Sequence, residues 1–261
     1  MDGLCLLSFL WVSALLLVAS AMDLRSREVS DGAWWAMLPA MVPMLLSQGD
    51  ISAGTALAAA SSAVLAVFFL GGEGRIAYLF ASFATVLWIS AVICGGNPPY
   101  LLSPVFQVLF YLAYLAGLVP GGADAKCLIV IAAVFPAYPY DAGMIGTALP
   151  PAVSVLFLGT FSTAVTYGVW LIFKNMKNGR SDFPYLRIPI AEARSSFAWI
   201  LEDYRGGKVV RCDDGGADAL DRLEAAGAEE VLVSPMIPFI VPMTFGFLAT
   251  MLAGCPFTWS L

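Results

Sequence analysis

Two aspartates carry the chemistry open to this chain: Asp23 in "SAMDLRSREVSDGAWW", at the end of one apolar run, and Asp124 in "GGADAKCL", at the start of another. An aspartate at the centre of a membrane helix costs about 2.5–3.5 kcal/mol, so it persists mainly where it functions or is paired. Two carboxylates brought together at an apolar boundary share a proton, because like charges at short range do not both ionise. The ionised member then activates water while the protonated member polarises a carbonyl. That is aspartyl peptide hydrolysis, and it calls for no metal and no cofactor. The chain contains no histidine, which excludes Ser–His and Cys–His nucleophiles and every His-containing metal site.

Gly121 and Gly122 remove side chains ahead of Asp124 and are candidate substrate-binding residues, since a tight turn and an extended substrate backbone both need that space. The plainer alternative is an interhelical turn in which the helix dipole favours Asp124. The string itself decides nothing, because "GGADA" recurs at 215–219 in "CDDGGADALDRL". There it joins polar elements, and Asp218 reads as an ordinary first-turn charge. At 121–125 it joins two apolar spans, so context selects Asp124. Arg25, Arg27, Arg75 and Lys126 read as topological anchors, with Lys126 also able to bias the carboxylates. Glu28, Asp31 and Glu73 read as solvated charges, and Asp31 as an N-cap. The five cysteines lie far apart with no CxxC pair and read as small core residues.

The elements that must position these residues are membrane helices. Of 261 residues, 60% are hydrophobic and 12% charged, with a mean hydropathy of +0.83, values that a water-facing surface does not allow. The fold class expected is an all-α polytopic membrane protein with a lipid bilayer as its surroundings. Eight apolar stretches lie at about 4–22, 33–47, 53–70, 76–94, 101–119, 124–139, 148–173 and 234–253. The second and sixth are short, which suggests tilted or re-entrant segments. With eight crossings, all thirteen Lys and Arg fall in loops on one side: Arg25, Arg27, Arg75, Lys126 and nine in 174–233. The opposite loops carry Asp2, Asp50 and Asp141 instead. Basic residues stay cytoplasmic, so both termini are expected outside and both aspartates at the cytoplasmic face. A cleaved secretory signal is the rival reading of the N-terminus, but "MDG" lacks the positive charge such a signal carries.

Three regions follow: a transmembrane core at 1–173, a polar insert at 174–233 and a last helix at 234–261. In the insert, "GKVVRC" and "EEVLVS" read as strands around the helix "ADALDRLEAAG", suggesting a small β–α–β element. "SPMIPFIVPMTFGF" brings Pro235, Pro238 and Pro242 to the start of the last span; Pro235 and Pro238 are further substrate-binding candidates, because proline there frees backbone groups. The net charge of −6 offers no basic surface for nucleic acid.

These residues resemble the aspartic membrane peptidases that process type IV prepilins and archaeal preflagellins (prearchaellins). "SAMDLRSREVSDGAWW" is similar to the family's first aspartate segment, "GGADAKCL" to its GxGD segment, and "SPMIPFIVPMTFGF" to the proline-rich last helix of the archaeal branch. The resemblance implies that Asp23 and Asp124 are the catalytic pair. It also implies that the substrates are preflagellin or prepilin-like precursors, from which short basic leader peptides are removed at the cytoplasmic face. Ala123 departs from GxGD at its third place, and four spans lie between the aspartates where six-helix archaeal members would have two. No cysteine motif accompanies them, so proteolysis alone is expected. A transporter or channel using both aspartates as proton or cation sites is the alternative.

Overall fold

The computed structural model describes residues 1–71, 75–119, 121–140, 149–179, 182–213 and 215–256. Glu73, Asp141 and Arg180 lie outside the described residues, and of Arg75 only the main chain is described. The chain is mostly helical and divides into two compact units, Met1–Thr160 with Phe239–Leu261, and Phe161–Pro238.

In the first unit α1 (Gly3–Ser26) is followed by α2 (Asp31–Met37), a 3₁₀ turn (Leu38–Ala40) and α3 (Met41–Leu46). Then come α4 (Ala53–Gly71), α5 (Arg75–Ile93), α6 (Pro98–Leu115) and α7 (Gly122–Val134). Helix α8 (Pro151–Lys177) passes out of this unit at Thr160, and α11 (Ile240–Ala253) returns to it. Among the described residues α1, α4, α6 and α8 are long and apolar enough to cross a membrane; Tyr78–Ile93 and Ile240–Ala253 form shorter apolar helices.

Helix α1 shows how the core is built. Its buried residues, Cys5, Ser8, Phe9, Val12, Ser13, Leu16, Ala19, Ser20 and Asp23, recur every three or four positions, the spacing of one helix face. Leu6, Leu7, Leu10, Leu17, Val18 and Leu24 cover the exposed side, a surface suited to lipid and costly in water. Phe247 of α11 joins the core between Phe9 and Phe135, with ring centroids 5.8 and 5.3 Å away.

The short second stretch is one broken helix. Pro39 and Pro43 each remove an amide hydrogen from its ladder, and the chain tightens into a 3₁₀ turn at Leu38–Ala40. Side chains of α1 attend to carbonyls around the break: Trp11 Nε1 donates to Ala36 O at 2.8 Å and Ser8 Oγ to Ala40 O at 2.9 Å. Such local satisfaction is what allows a helix to break away from water. The sixth stretch, expected over 124–139, forms a helix only to Val134. From Cys127 to Val134 every side chain of α7 is buried, with α2, α3, α4, α6 and α11 packed around it.

The second unit is an α/β structure. Helix α9 (Ile190–Ser195) and strands β1 (Leu186–Pro189), β2 (Ala198–Ile200), β3 (Glu202–Arg205) and β4 (Lys208–Arg211) precede α10 (Gly216–Ala225) and β5 (Glu230–Pro235). The three elements expected from sequence are present, but they do not make a β–α–β unit. β5 lies between β1 and β2 in an antiparallel sheet, while β4 pairs with β3 in a separate hairpin. The reason is the Gly206–Gly207 turn, with φ of +59° and +79°, which folds β4 directly back on β3. Leu186, Ile188, Ile200, Val231 and Val233 pack with Leu220 and Leu223 of α10 and Leu171 of α8. Buried Asp203 ties this unit together, accepting from Arg222 Nε at 2.8 Å and Arg205 Nε at 2.6 Å. Hydrogen bonds from Arg222 hold its carboxyl well below the usual carboxylate range.

The last apolar stretch, expected from 234, divides differently. Ser234 and Pro235 end β5, opposite Trp199 and Ala198, and α11 begins only at Ile240. Pro242 falls in the first turn of α11, where its missing amide hydrogen costs no intrahelical bond.

Candidate active site

Asp23 occupies the last buried position on the core face of α1. One turn on, Arg27 ends the helix in the left-handed conformation, φ 58°, and its amide returns to the carbonyl of Asp23 at 3.1 Å. This fixes the aspartate's main chain within the final turn. Its side chain is 7% exposed, and Oδ2 accepts the amide hydrogen of Ile240 at 3.1 Å. Ile240 is the first residue of α11, so the carboxylate meets both a free amide and the positive end of a helix dipole. A hydrogen bond to a charged group contributes about 1.5–3 kcal/mol, comparable with the insertion cost of the aspartate. Two further bonds hold α11 against α1 nearby: Thr244 Oγ1 lies 2.8 Å from Ser20 Oγ and 3.4 Å from Leu16 O.

Asp124 opens α7 and is 8% exposed. Gly121 stands at the N-cap in extended conformation, φ −102° and ψ 129°, and the Asp124 carboxylate folds back over it. A Cβ placed on residue 121 would lie 2.9 Å from Asp124 Cγ and nearer still to Oδ2, a separation that real atoms do not adopt. Glycine at 121 is therefore a requirement of this carboxylate position. At Gly122 a Cβ would meet only the Tyr114 ring, 3.6 Å from its hydroxyl, which is ordinary contact. Ala123, at the third place of the motif, packs against the core.

Both aspartates belong to the first unit, and Asp23 lies close enough to act electrostatically on Asp124. The two residues that sequence reasoning singled out thus lie in the same compact unit, each of them buried. Asp218 lies in the other unit and is exposed. Pro235 and Pro238 also belong to the second unit, Pro235 as the last residue of β5. Asp31 is not the N-cap of α2: Ser30 caps it, accepting from Gly32 N at 3.3 Å, and Asp31 instead pairs with Lys126 Nζ at 2.6 Å. Glu28 is exposed.

Sequence reasoning missed the part of Ile240 and Thr244. The position of α11's first residue was hidden because "SPMIPF" reads as the start of a helix. A cleft of about 450 Å³ opens beside α7, walled by Phe69, Tyr111, Tyr114, Gly122 and Ala123, with Lys126 at the same end of the helix. A slightly larger apolar cavity, about 470 Å³, lies among α4, α5 and α6, and neither aspartate lines it or the cleft beside α7.

An apolar helical unit that buries two interacting carboxylates defines the class: a membrane-type protein with a candidate acid–base pair. No family model matches the chain. It is similar to two curated proteins, each named preflagellin peptidase. One, from Methanococcus voltae, is 22% identical, covering 92% of this chain and 91% of the relative. The other, from Methanocaldococcus jannaschii, is 22% identical, covering 92% of this chain and 90% of the relative. Both likenesses span nearly the whole of each chain.

Proposed function

We propose that this protein is a membrane-embedded aspartic endopeptidase that removes short basic leader peptides from preflagellin or prepilin-like precursors. What carries the reading is the burial of Asp23 and Asp124 within one compact unit of a chain similar throughout to two preflagellin peptidases. The pair shares one proton. The ionised carboxylate draws a proton from water, whose oxygen adds to the scissile carbonyl carbon, while the protonated carboxyl donates to the carbonyl oxygen. Collapse of the tetrahedral intermediate breaks the C–N bond and passes a proton to the leaving amine. No metal or cofactor takes part.

Asp23 is anchored through Ile240 N at 3.1 Å. In the membrane the chain crosses eight times with both termini outside, and the site opens at the cytoplasmic face. The charge pattern supports this orientation. Within the first unit Arg25, Arg27 and Lys126 lie at the α1 and α7 ends that carry the aspartates, while Asp2 caps the far end of α1, accepting from Cys5 N at 2.7 Å.

The test is reconstitution in proteoliposomes with a leader-bearing precursor. Wild type cuts at the leader junction, and Asp23→Asn loses cleavage by at least about a hundredfold. Proton or cation flux without cleavage would favour the transporter alternative and remove this reading.

A further inference from the structure

We propose that the cleft beside Asp124 is the substrate cleft, and that the Tyr114 hydroxyl in it positions a main-chain carbonyl of the precursor segment adjoining the scissile bond. This inference rests on the peptidase reading and deepens it.

Three observations converge. The cleft, of about 450 Å³, is of a size that takes a short peptide segment with its side chains. Its wall includes Gly122, Ala123 and Ala125, which flank Asp124 in sequence, while the carboxylate itself does not line it, so a chain lying in it runs along the first turn of α7, the turn that carries Asp124. Tyr114, on the last turn of α6, is 39% exposed, and no described residue hydrogen-bonds its hydroxyl. An uncommitted O–H reaches an occupant without giving up an existing partner. Phe69 and Tyr111 form a fixed aromatic wall nearby, their ring centroids 4.6 Å apart, against which an adjoining apolar side chain packs.

The two glycines then have different tasks. Gly121 leaves room for the Asp124 carboxylate, whereas Gly122 keeps the cleft open in front of the Tyr114 ring. An extended peptide is the occupant that uses all of this: carbonyl acceptors at regular intervals for the hydroxyl, alternating side chains for the aromatic wall, and a bond to be cut beside Asp124.

The experiment uses the full-length protein in detergent or proteoliposomes with a synthetic precursor peptide spanning the junction. Tyr114→Phe keeps the ring and removes only the oxygen. It is expected to raise KM about fivefold with kcat changed less than about twofold, and to leave the melting temperature unchanged. Gly122→Val, which narrows the cleft, raises KM further. A series of peptides with single carbonyls reduced to methylene identifies the partner: one position weakens binding to wild type and costs nothing with Tyr114→Phe. If both variants keep the wild-type KM while wild type cuts, the peptidase stands and the cleft assignment falls. If the reduced-carbonyl penalties are the same in wild type and Tyr114→Phe, the hydroxyl's role falls. A wild-type protein that cuts nothing overturns the peptidase reading and this proposal together.

Discussion

The same five residues, Gly-Gly-Ala-Asp-Ala, begin two helices of this chain and end in two different environments. At 121–125 the first glycine is extended, the aspartate folds back over it, and the helix that follows is buried on every side from Cys127 to Val134. At 215–219 the first glycine is helical, φ −85° and ψ −16°, the second takes φ +60°, and the helix buries only Ala219, Leu220 and Leu223. Asp124 is 8% exposed, whereas Asp218 faces water. Identical local chemistry thus gives a confined carboxylate in one place and a solvated first-turn charge in the other. The difference is made by what surrounds the helix, as expected where tertiary context overrides local preference.

The sharpest way to break this contrast is to add one methyl group to each copy. Gly121→Ala drives a Cβ into the Asp124 carboxylate and is expected to reduce precursor cleavage by about a hundredfold, the scale of a misplacement near 1 Å. Gly122→Ala, with only ordinary contact to Tyr114, should lose no more than a few-fold. Gly215→Ala meets Ala219 Cβ at 2.5 Å and should destabilise the second unit, leaving cleavage per folded molecule unchanged. Cleavage rates normalised to folded protein check all three.

A second test concerns how the two units hold an acid. Because Arg222 keeps the Asp203 carboxyl low in the folded state, the unfolded chain binds a proton there at a pH where the folded chain does not. The stability it lends is complete above about pH 5 and is lost as pH falls through and below about 4. Asp203→Asn should lower the melting temperature of the second unit by several degrees at neutral pH and flatten its loss below pH 4. Thermal unfolding followed across pH shows either result.

Smaller still is the effect expected at Thr244. Thr244→Val removes its bond to Ser20, a contact worth about 0.6 kcal/mol on average in membranes and at most about 1.7. Cleavage should fall a few-fold as the Ile240 amide loosens from Asp23, and Thr244→Ser should restore it.

Much of the site was legible before any coordinates. Asp23 continues the three-and-four spacing of Phe9, Leu16 and Ser20, so its burial follows from helix periodicity. Asp124 stands where an apolar run begins. The partnership of Asp23 with Ile240 was not legible, because it joins residues remote in sequence through a main-chain amide, which carries no residue signature. The helix break at Leu38–Ala40 was signalled by Pro39 and Pro43, although its satisfaction by Ser8 and Trp11 belongs to packing. In the insert, the Gly206–Gly207 pair is a hairpin signal that outweighs the apparent strand–helix–strand order. β1 and β2 escaped notice because four- and three-residue strands carry too little periodicity to read.

The most direct measurement sets the two aspartates of the repeated string side by side. Asp124→Asn and Asp218→Asn are compared for cleavage of a leader-bearing precursor in proteoliposomes, at equal amounts of folded protein. The account predicts a loss of at least about a hundredfold for Asp124→Asn and wild-type cleavage for Asp218→Asn. Full cleavage by Asp124→Asn, or its loss in Asp218→Asn alone, would contradict it.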